Sequence, residues 1–113
     1  MIRETYHATD TEGIAGGQGP ARMDYWLAGS ELAPNANMMA TVTLEPGSSV
    51  GIHAHEGEAE IYRIISGSGI YDDNGTPKEV GPGFVTICYH GEQHGLKNTG
   101  DTPLVFDAII IAG

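Results

Sequence analysis

The chain has 113 residues, a formal net charge of −10 and one cysteine. This length predicts one domain with one core, and a single cysteine excludes an intrachain disulfide and favours a reducing compartment, by default the cytoplasm. Acidic residues outnumber basic ones by 15 to 5, which disfavours nucleic acid and anionic membranes as partners. No apolar run approaches the ~20 residues of a membrane-spanning helix.

Turn residues divide the chain into segments of strand length. Residues 1–37 are predicted as an N-terminal segment, with a glycine-rich loop at 13–20 and a first strand near 24–28. Apolar or alternating runs predict further strands at residues 38–44, 61–65, 84–88 and 104–111. Asn74-Gly75 predicts a two-residue type I′ hairpin. With no sustained helical period, the pattern predicts an all-β sandwich or barrel.

Residues 104–111 form the most continuous apolar run of the chain. A strand with one face in water would alternate between apolar and polar residues, and this run does not. It is therefore predicted either to pack between two sheets or to lie at a subunit contact.

The histidines suggest a metal site. His53 and His55 are two residues apart, so on a strand their side chains lie on the same face. Glu60 follows a turn-like segment that could return the chain beside the pair, whereas His94 would have to arrive from another strand. Three neutral imidazoles and one carboxylate suit a divalent transition metal, with two of six coordination positions open. The alternative is a solvated strand end with Glu60 on a polar face.

These residues belong to two wider spaced patterns. The first resembles the first cupin motif at every fixed position and consists of Gly47, His53, His55, Glu60 and Gly67. The second resembles the second cupin motif, with a tyrosine where a proline is usual, and consists of Gly83, Tyr89, His94 and Asn98. The resemblance covers about residues 38–111, and the region is similar to small single-domain microbial cupins of the oxalate-decarboxylase-like type.

The resemblance implies a double-stranded β-helix (jelly-roll) barrel over residues 38–113. It also implies one divalent metal inside the barrel, with Mn or Fe favoured and Zn, Ni or Co as alternatives, and a small-molecule ligand beside it. The implied metal ligands are His53, His55, Glu60 and His94. In small cupins such an N-terminal segment often adds a strand to the partner's sheet, so the resemblance implies a homodimer with this segment at the interface. The alternative is that the segment folds over the mouth of its own barrel.

Four further residues near the motifs have expected roles, and two of them have alternatives. Tyr62 shares the barrel-facing side of its strand with Glu60, and it is either a catalytic residue that donates a hydrogen bond or proton or a core tyrosine. Glu58 is a rival ligand to Glu60, but the motif spacing favours Glu60 and leaves Glu58 as a solvated turn carboxylate. His90 is expected at the surface, and Cys88 is expected to pack as a small apolar residue.

The favoured function is a metal-dependent enzyme, decarboxylase-like or dioxygenase-like, that acts on a small carboxylate or oxygenated metabolite. The alternatives are a non-catalytic binding or sensing module and a sugar isomerase or epimerase. Oxalate decarboxylation requires a cation in the pocket to hold the second carboxylate. Arg63 is expected to point away from the barrel, and Arg3 and Arg22 lie outside the motifs. Full oxalate decarboxylase activity is therefore not expected.

Overall fold

The computed structural model describes residues 1–113 and contains ten strands, one turn of 3-10 helix at Gly29–Glu31 and no α-helix. The strands are β1 (His7–Glu12), β2 (Pro20–Leu27), β3 (Ala36–Leu44), β4 (Ser49–Ala54), β5 (Glu58–Ser66), β6 (Gly69–Asp73), β7 (Thr76–Val80), β8 (Val85–Cys88), β9 (Gln93–Asn98) and β10 (Leu104–Ala112). The predicted all-β class is confirmed. The structure has no helix with the length and hydropathy needed to cross a membrane.

The strands form two antiparallel sheets that share one core. One sheet has six strands in the order β1-β2-β3-β10-β5-β8, and the other has four in the order β4-β9-β6-β7. Consecutive strands in the core region, such as β4 and β5, lie in different sheets, as in a jelly roll. The predicted double-stranded β-helix is confirmed.

Most of the predicted strands occur close to their predicted positions. The runs at 38–44, 61–65, 84–88 and 104–111 correspond to β3, β5, β8 and β10. Asn74 and Gly75 connect β6 to β7 with φ values of 52° and 92°, and two positive φ values are what a type I′ turn requires.

The N-terminal prediction is only partly right. The predicted first strand near residues 24–28 is the second strand in the structure, and it starts earlier, at Pro20. The strand β1 was not predicted because its sequence, HATDTE, has no apolar alternation and is almost entirely exposed. Pairing with β2, from His7 opposite Tyr25 to Glu12 opposite Pro20, holds this edge strand in place.

The core lies between the inner faces of the two sheets. Strand β3 turns Ala40, Val42 and Leu44 inward, each 2% exposed or less. Strand β10 lies between β3 and β5 in the middle of the six-stranded sheet, so its apolar run is covered on its inner face by the second sheet. The six-stranded sheet thus provides most of the core surface.

Asn98 fixes one end of the barrel. Its side-chain Nδ2 donates hydrogen bonds to the carbonyl oxygens of Leu44 and Thr102, each at 2.9 Å. Its Oδ1 accepts the backbone N–H of Gly100, also at 2.9 Å. A buried amide with these bonds joins the end of β3 to the turn between β9 and β10 at little desolvation cost.

Candidate metal centre

Strands from both sheets, β4 and β9 from one and β5 from the other, bring the four histidine and glutamate side chains together at the other end of the barrel. His53 lies on β4 directly opposite His94 on β9. His55 follows the end of β4, and the chain then reverses through Gly57, whose φ is 71°, into β5 and Glu60. Gly57 accounts for the return of the chain, because a positive φ costs glycine little.

The nitrogen and oxygen atoms of these side chains converge on one point. Glu60 Oε1 lies 2.9 Å from His94 Nε2, 3.0 Å from His55 Nε2 and 3.5 Å from His53 Nε2. His94 Nε2 lies 3.1 Å from His55 Nε2 and 3.2 Å from His53 Nε2. Glu60 and His94 are 3% and 0% exposed, so the cluster is largely removed from water.

These separations fit one metal ion. Ligand atoms bonded to one ion at about 2.1 Å lie about 3.0 Å apart at right angles and about 3.4 Å apart in a tetrahedron. Five of the six separations, at 2.9–3.5 Å, fall around these values, and all four donor atoms lie within 4.8 Å of one another. The chemistry of the donors also fits, since imidazole nitrogen and carboxylate oxygen suit divalent transition metals. The cluster could therefore bind one metal ion.

The other nitrogen of each imidazole has its own partner. His53 Nδ1 donates to the carbonyl oxygen of Gly51 at 2.7 Å, and His55 Nδ1 lies 3.0 Å from a carboxylate oxygen of Glu58. His94 Nδ1 lies 2.8 Å from the Tyr71 hydroxyl. The carbonyl and the carboxylate are acceptors, so they keep a proton on Nδ1 when a metal takes the place of a proton at Nε2.

The cluster also alters the acidity of its members. Burial raises the pKa of Glu60, but hydrogen bonds from His53 and His94 outweigh burial and lower the pKa from 4.5 to about 2. The hydrogen bond with Glu60 in turn raises the pKa of His53 above 6.5, against the effect of burial. Glu60 is therefore ionised at neutral pH, as metal binding requires.

A cavity of about 200 Å³ lies against the cluster. Its polar lining consists of His53, His55, Glu60 and Tyr62. The rest of its lining is apolar and consists of Ile14, Ala15, Met23, Met38, Val42, Val50, Phe106, Ala108 and Ile110. None of the five lysine and arginine side chains lines it.

The glycine-rich loop at residues 13–19 forms one wall of this cavity. The carbonyl oxygen of Ile14 accepts N–H groups from Gly17 at 2.8 Å and from Gly51 on β4 at 2.9 Å. A Cβ atom at Gly17 would lie 2.1 Å from the carbonyl oxygen of Ser49, so only glycine allows this contact. The loop is therefore packed tightly on the strand that carries His53.

The comparison with protein families agrees with this geometry. The family model for the cupin domain matches residues 40–111, which is more than half of the chain. The chain belongs to the cupin family. The matched region contains all four members of the histidine and glutamate cluster and both spaced motifs.

Several cupins resemble this chain. An oxalate-binding protein of Thermotoga maritima is 44% identical over 98 residues, which cover 87% of this chain and 81% of the relative. A crystal structure of a predicted oxalate decarboxylase from Thermotoga maritima is 37% identical, with a TM-score of 0.94 over the whole of both chains. A sugar phosphate isomerase of the cupin superfamily from Silicibacter pomeroyi, 20% identical, has a TM-score of 0.72 over 82% of this chain and 60% of its own, which shows a shared fold.

The structure also locates the other residues of interest in this cupin. Tyr62 is 2% exposed, lines the cavity and stacks on the ring of His94, with ring centroids 4.9 Å apart. Arg63 points to solvent, as expected from strand alternation. His90 is exposed, and Cys88 is buried at 1% exposure.

Sequence reasoning missed two parts of the cupin site and misjudged a third. Glu58 was expected as a solvated carboxylate, but it bonds to His55, and this bond, followed by one from Asn37, lowers the pKa of Glu58. The contact of Tyr71 with His94 was not predicted, although alternation on β6 could have indicated that Tyr71 faces inward. The wall formed by Ile14 has no sequence pattern that identifies it.

Proposed function

We propose that this cupin binds one divalent transition metal through His53, His55, Glu60 and His94, and that the loaded site holds a small carboxylate-bearing ligand. The observation that carries the proposal is the convergence of three imidazole nitrogens and a carboxylate oxygen against a largely apolar cavity. When bound, such an ion supplies a Lewis acid with coordination positions beyond the four protein donors. The name of the 44% identical oxalate-binding protein agrees with a carboxylate ligand.

Mn²⁺ or Fe²⁺ is the proposed metal, with Zn²⁺, Ni²⁺ and Co²⁺ as alternatives, because the site offers nitrogen and oxygen donors and no thiolate. Cys88 lies opposite Glu60 across β5 and β8, but it is outside the cluster. Burial raises the pKa of its thiol to about 11, so it stays protonated at neutral pH. The proposed location is the cytoplasm, because a chain with a single cysteine has no intrachain disulfide that would need an oxidising compartment.

Tyr62 is the proposed catalytic residue if the bound ligand reacts. It is the one polar side chain of the cavity wall outside the metal cluster. Burial, together with the negative charge of Glu60, raises the pKa of Tyr62 well above 10. Its hydroxyl therefore stays protonated at neutral pH and can donate a hydrogen bond or a proton, but it cannot act as a base.

The same cavity also favours a second candidate function, a non-catalytic binding or sensing module. General acid–base catalysis needs a titratable group with a pKa near the working pH, and Tyr62 does not have one. A sugar isomerase or epimerase has less support, because the apolar wall offers few partners for sugar hydroxyl groups.

Metal binding can be tested by elemental analysis of tag-free protein from medium supplied with Mn, Fe, Co, Ni and Zn. We expect close to one metal per chain for the unaltered protein and for His90→Ala, whose side chain is exposed. We expect little metal for His53→Ala, while circular dichroism shows an intact barrel. Equal metal content in His53→Ala and the unaltered protein would rule out the proposed site.

Catalysis can be separated from binding with the metal-loaded protein. Carbon dioxide release and dioxygen consumption are measured with oxalate and with pyruvate, alongside binding by calorimetry. If the protein is an enzyme, Tyr62→Phe should lower kcat and leave the binding affinity nearly unchanged, because the ring and its packing remain. Ligand binding without turnover in the unaltered protein would support the binding module instead.

The outer face of the six-stranded sheet supports a homodimer as the proposed assembly. Cross-strand pairing aligns Met39, Ile109, Ile61 and Ile87 in one apolar row over β3, β10, β5 and β8. Ile87 and the neighbouring Val85 are 38% and 64% exposed. A second copy can cover such a face with the same face of its own, as in most two-fold dimers. Residues 1–37, with Met1 and Ile2 exposed, are the proposed second part of the interface.

The dimer proposal can be tested by measuring molar mass by light scattering. The unaltered protein should have twice the 11.9 kDa mass of one chain. Ile87→Lys should give the monomer mass, because it places a charge in the apolar row. The control is Ile52→Lys on β4 of the other sheet, where Ile52 is 60% exposed. A monomer mass for the unaltered protein would overturn the proposal.

A further inference from the structure

The cavity beside the metal cluster has apolar walls and no cation. Apart from the cluster, its only polar side chain is Tyr62, and nine further residues contribute aliphatic, thioether or aromatic surface. The inner-face row Met38, Ile110 and Glu60 runs across β3, β10 and β5, so apolar wall adjoins the cluster directly. Any part of a bound ligand that extends beyond the cluster therefore contacts apolar side chains.

The charge of the cluster limits which ligands this cavity tolerates. Three neutral imidazoles and one ligating carboxylate would give a site loaded with a divalent ion a net charge of +1. A monoanion neutralises this charge, whereas a dianion leaves one uncompensated negative charge in a cavity without a cation. An uncompensated buried charge is costly, and the net charge of −10 on the chain adds to the repulsion of a dianion.

Building on the function proposed above, we propose that the cavity walls select monoanionic 2-oxo or 2-hydroxy acids with a short alkyl side chain, and oppose dicarboxylates. The two adjacent oxygens of such an acid suit a metal with open positions, and its alkyl group matches the apolar wall. The cavity of about 200 Å³ leaves room for a short alkyl side chain beside the cluster.

The test is calorimetric titration of the Mn²⁺-loaded protein with pyruvate, 2-oxobutanoate, 3-methyl-2-oxobutanoate and oxalate. Each affinity is divided by the affinity of the same ligand for free aqueous Mn²⁺, so that the ratio isolates the contribution of the protein. We expect the ratio to rise about fourfold for each added carbon of the alkyl chain and to be lowest for oxalate. A ratio that is flat across the series, or highest for oxalate, would overturn the selectivity.

A pair of variants at Met38 tests whether the lack of a cation in the cavity causes the selectivity against oxalate. Met38 is half-buried at the cavity wall, so a flexible lysine can replace it and reach towards the ligand. Met38→Lys should raise the ratio for oxalate on the order of tenfold and lower the ratio for 3-methyl-2-oxobutanoate. Met38→Gln is the neutral control of similar length and should not favour oxalate. Equal responses of the two variants would contradict the role of charge.

The same titrations separate this inference from the proposed function. If none of the five proposed metals binds, or if the acids bind equally well to metal-free protein, both the proposed function and the selectivity fail. If oxalate binding requires Mn²⁺ but the affinities do not respond to chain length or to Met38→Lys, the metal-dependent function stands and the selectivity alone is wrong.

Discussion

The two ends of the barrel interior are built from the same strands but differ in packing and chemistry. At one end, which we term the closed end, Leu44, Ile64, Leu96, Leu104 and Asn98 are each 2% exposed or less. At the other, the open end, the same strands contribute Met38, Glu60, His94 and Ile110 to the histidine and glutamate cluster and the adjoining cavity. Aliphatic side chains fill one end, while imidazoles and a carboxylate frame a space at the other.

The change occurs within a few residues of a single strand. Along β9 the inward positions are His94, Leu96 and Asn98, so an imidazole of the cluster, an aliphatic side chain and an amide follow one another at alternate residues. Strand alternation keeps all three side chains on one face. The strand can therefore pack the core at one end and contribute to the proposed metal site at the other. The two ends should therefore respond differently to the same perturbation.

A fall in pH should weaken metal binding at the open end and leave the packing of the closed end almost unchanged. Protons compete with the metal for three imidazoles, and each can cost up to about tenfold in affinity per pH unit below its pKa. The raised pKa of His53 places the onset above pH 6.5. Between about pH 8 and pH 5 we expect metal affinity to fall by several orders of magnitude, as measured by competition with a chelator.

The metal-free barrel should remain folded over that pH range. The lowered pKa of Glu60 gives stability that is present above pH 4.5 and is lost as pH falls towards about 2. The raised pKa of His53 gives stability that is present below 6.5 and is lost as pH rises through the raised value. Unfolding at pH 5 together with metal loss would contradict the separation of the two ends.

A matched pair of truncations compares the ends directly. Leu104→Ala at the closed end removes a side chain that is 0% exposed and should lower the free energy of unfolding by about 3–4 kcal/mol. Ile110→Ala on the same strand lines the cavity and is half-buried, so it should cost about 1–2 kcal/mol. Urea denaturation of the metal-free variants measures both, and equal losses would show that the open end is packed as tightly as the closed end.

Tyr71→Phe tests the contribution of the contact between the Tyr71 hydroxyl and His94 to metal binding at the open end. The change removes the hydroxyl that lies 2.8 Å from His94 Nδ1 and keeps the aromatic ring. Losing such an outer partner typically lowers metal affinity about 10–100-fold. We expect that loss in chelator competition, with a change in unfolding free energy below about 1.5 kcal/mol. Unchanged metal affinity would mean that His94 does not need Tyr71 for its orientation.

Glu58→Ala should have the smallest effect of this set. It removes the carboxylate that bonds to His55 Nδ1 at 3.0 Å at a half-exposed site, so we expect metal affinity to fall about tenfold or less. Glu56→Ala is the control, since the Glu56 side chain is 75% exposed and lies outside the cluster. If both variants lose affinity equally, the effect is one of overall charge and not of the bond to His55.

The sequence predicted the parts of this molecule that depend on local pattern. Alternation placed Tyr62 and Ile64 on the inner face, and Asn74-Gly75 located the hairpin between β6 and β7. The spacing of the two motifs identified as candidate metal ligands the four residues that the structure places in one cluster. These features are encoded by neighbouring residues, so they can be read without the fold.

The remaining features depend on contacts between distant residues. Strand β1 is held by pairing with β2 and has no apolar pattern of its own. Tyr71 and His94 are 23 positions apart, and their contact requires β6 and β9 to be neighbours. Ile14 reaches the cavity through backbone contacts with Gly51, which local sequence does not reveal. Only the assembled sheets bring these residues together.

The position of β10 in the sheet affects how the protein forms during synthesis. It is the last of the ten strands to leave the ribosome, yet it lies between β3 and β5, and β5 carries Glu60. Until Leu104–Ala112 emerges, β3 and β5 have no common neighbour and the barrel cannot close. The proposed metal site is therefore expected to assemble only after Leu104–Ala112 has been inserted between β3 and β5.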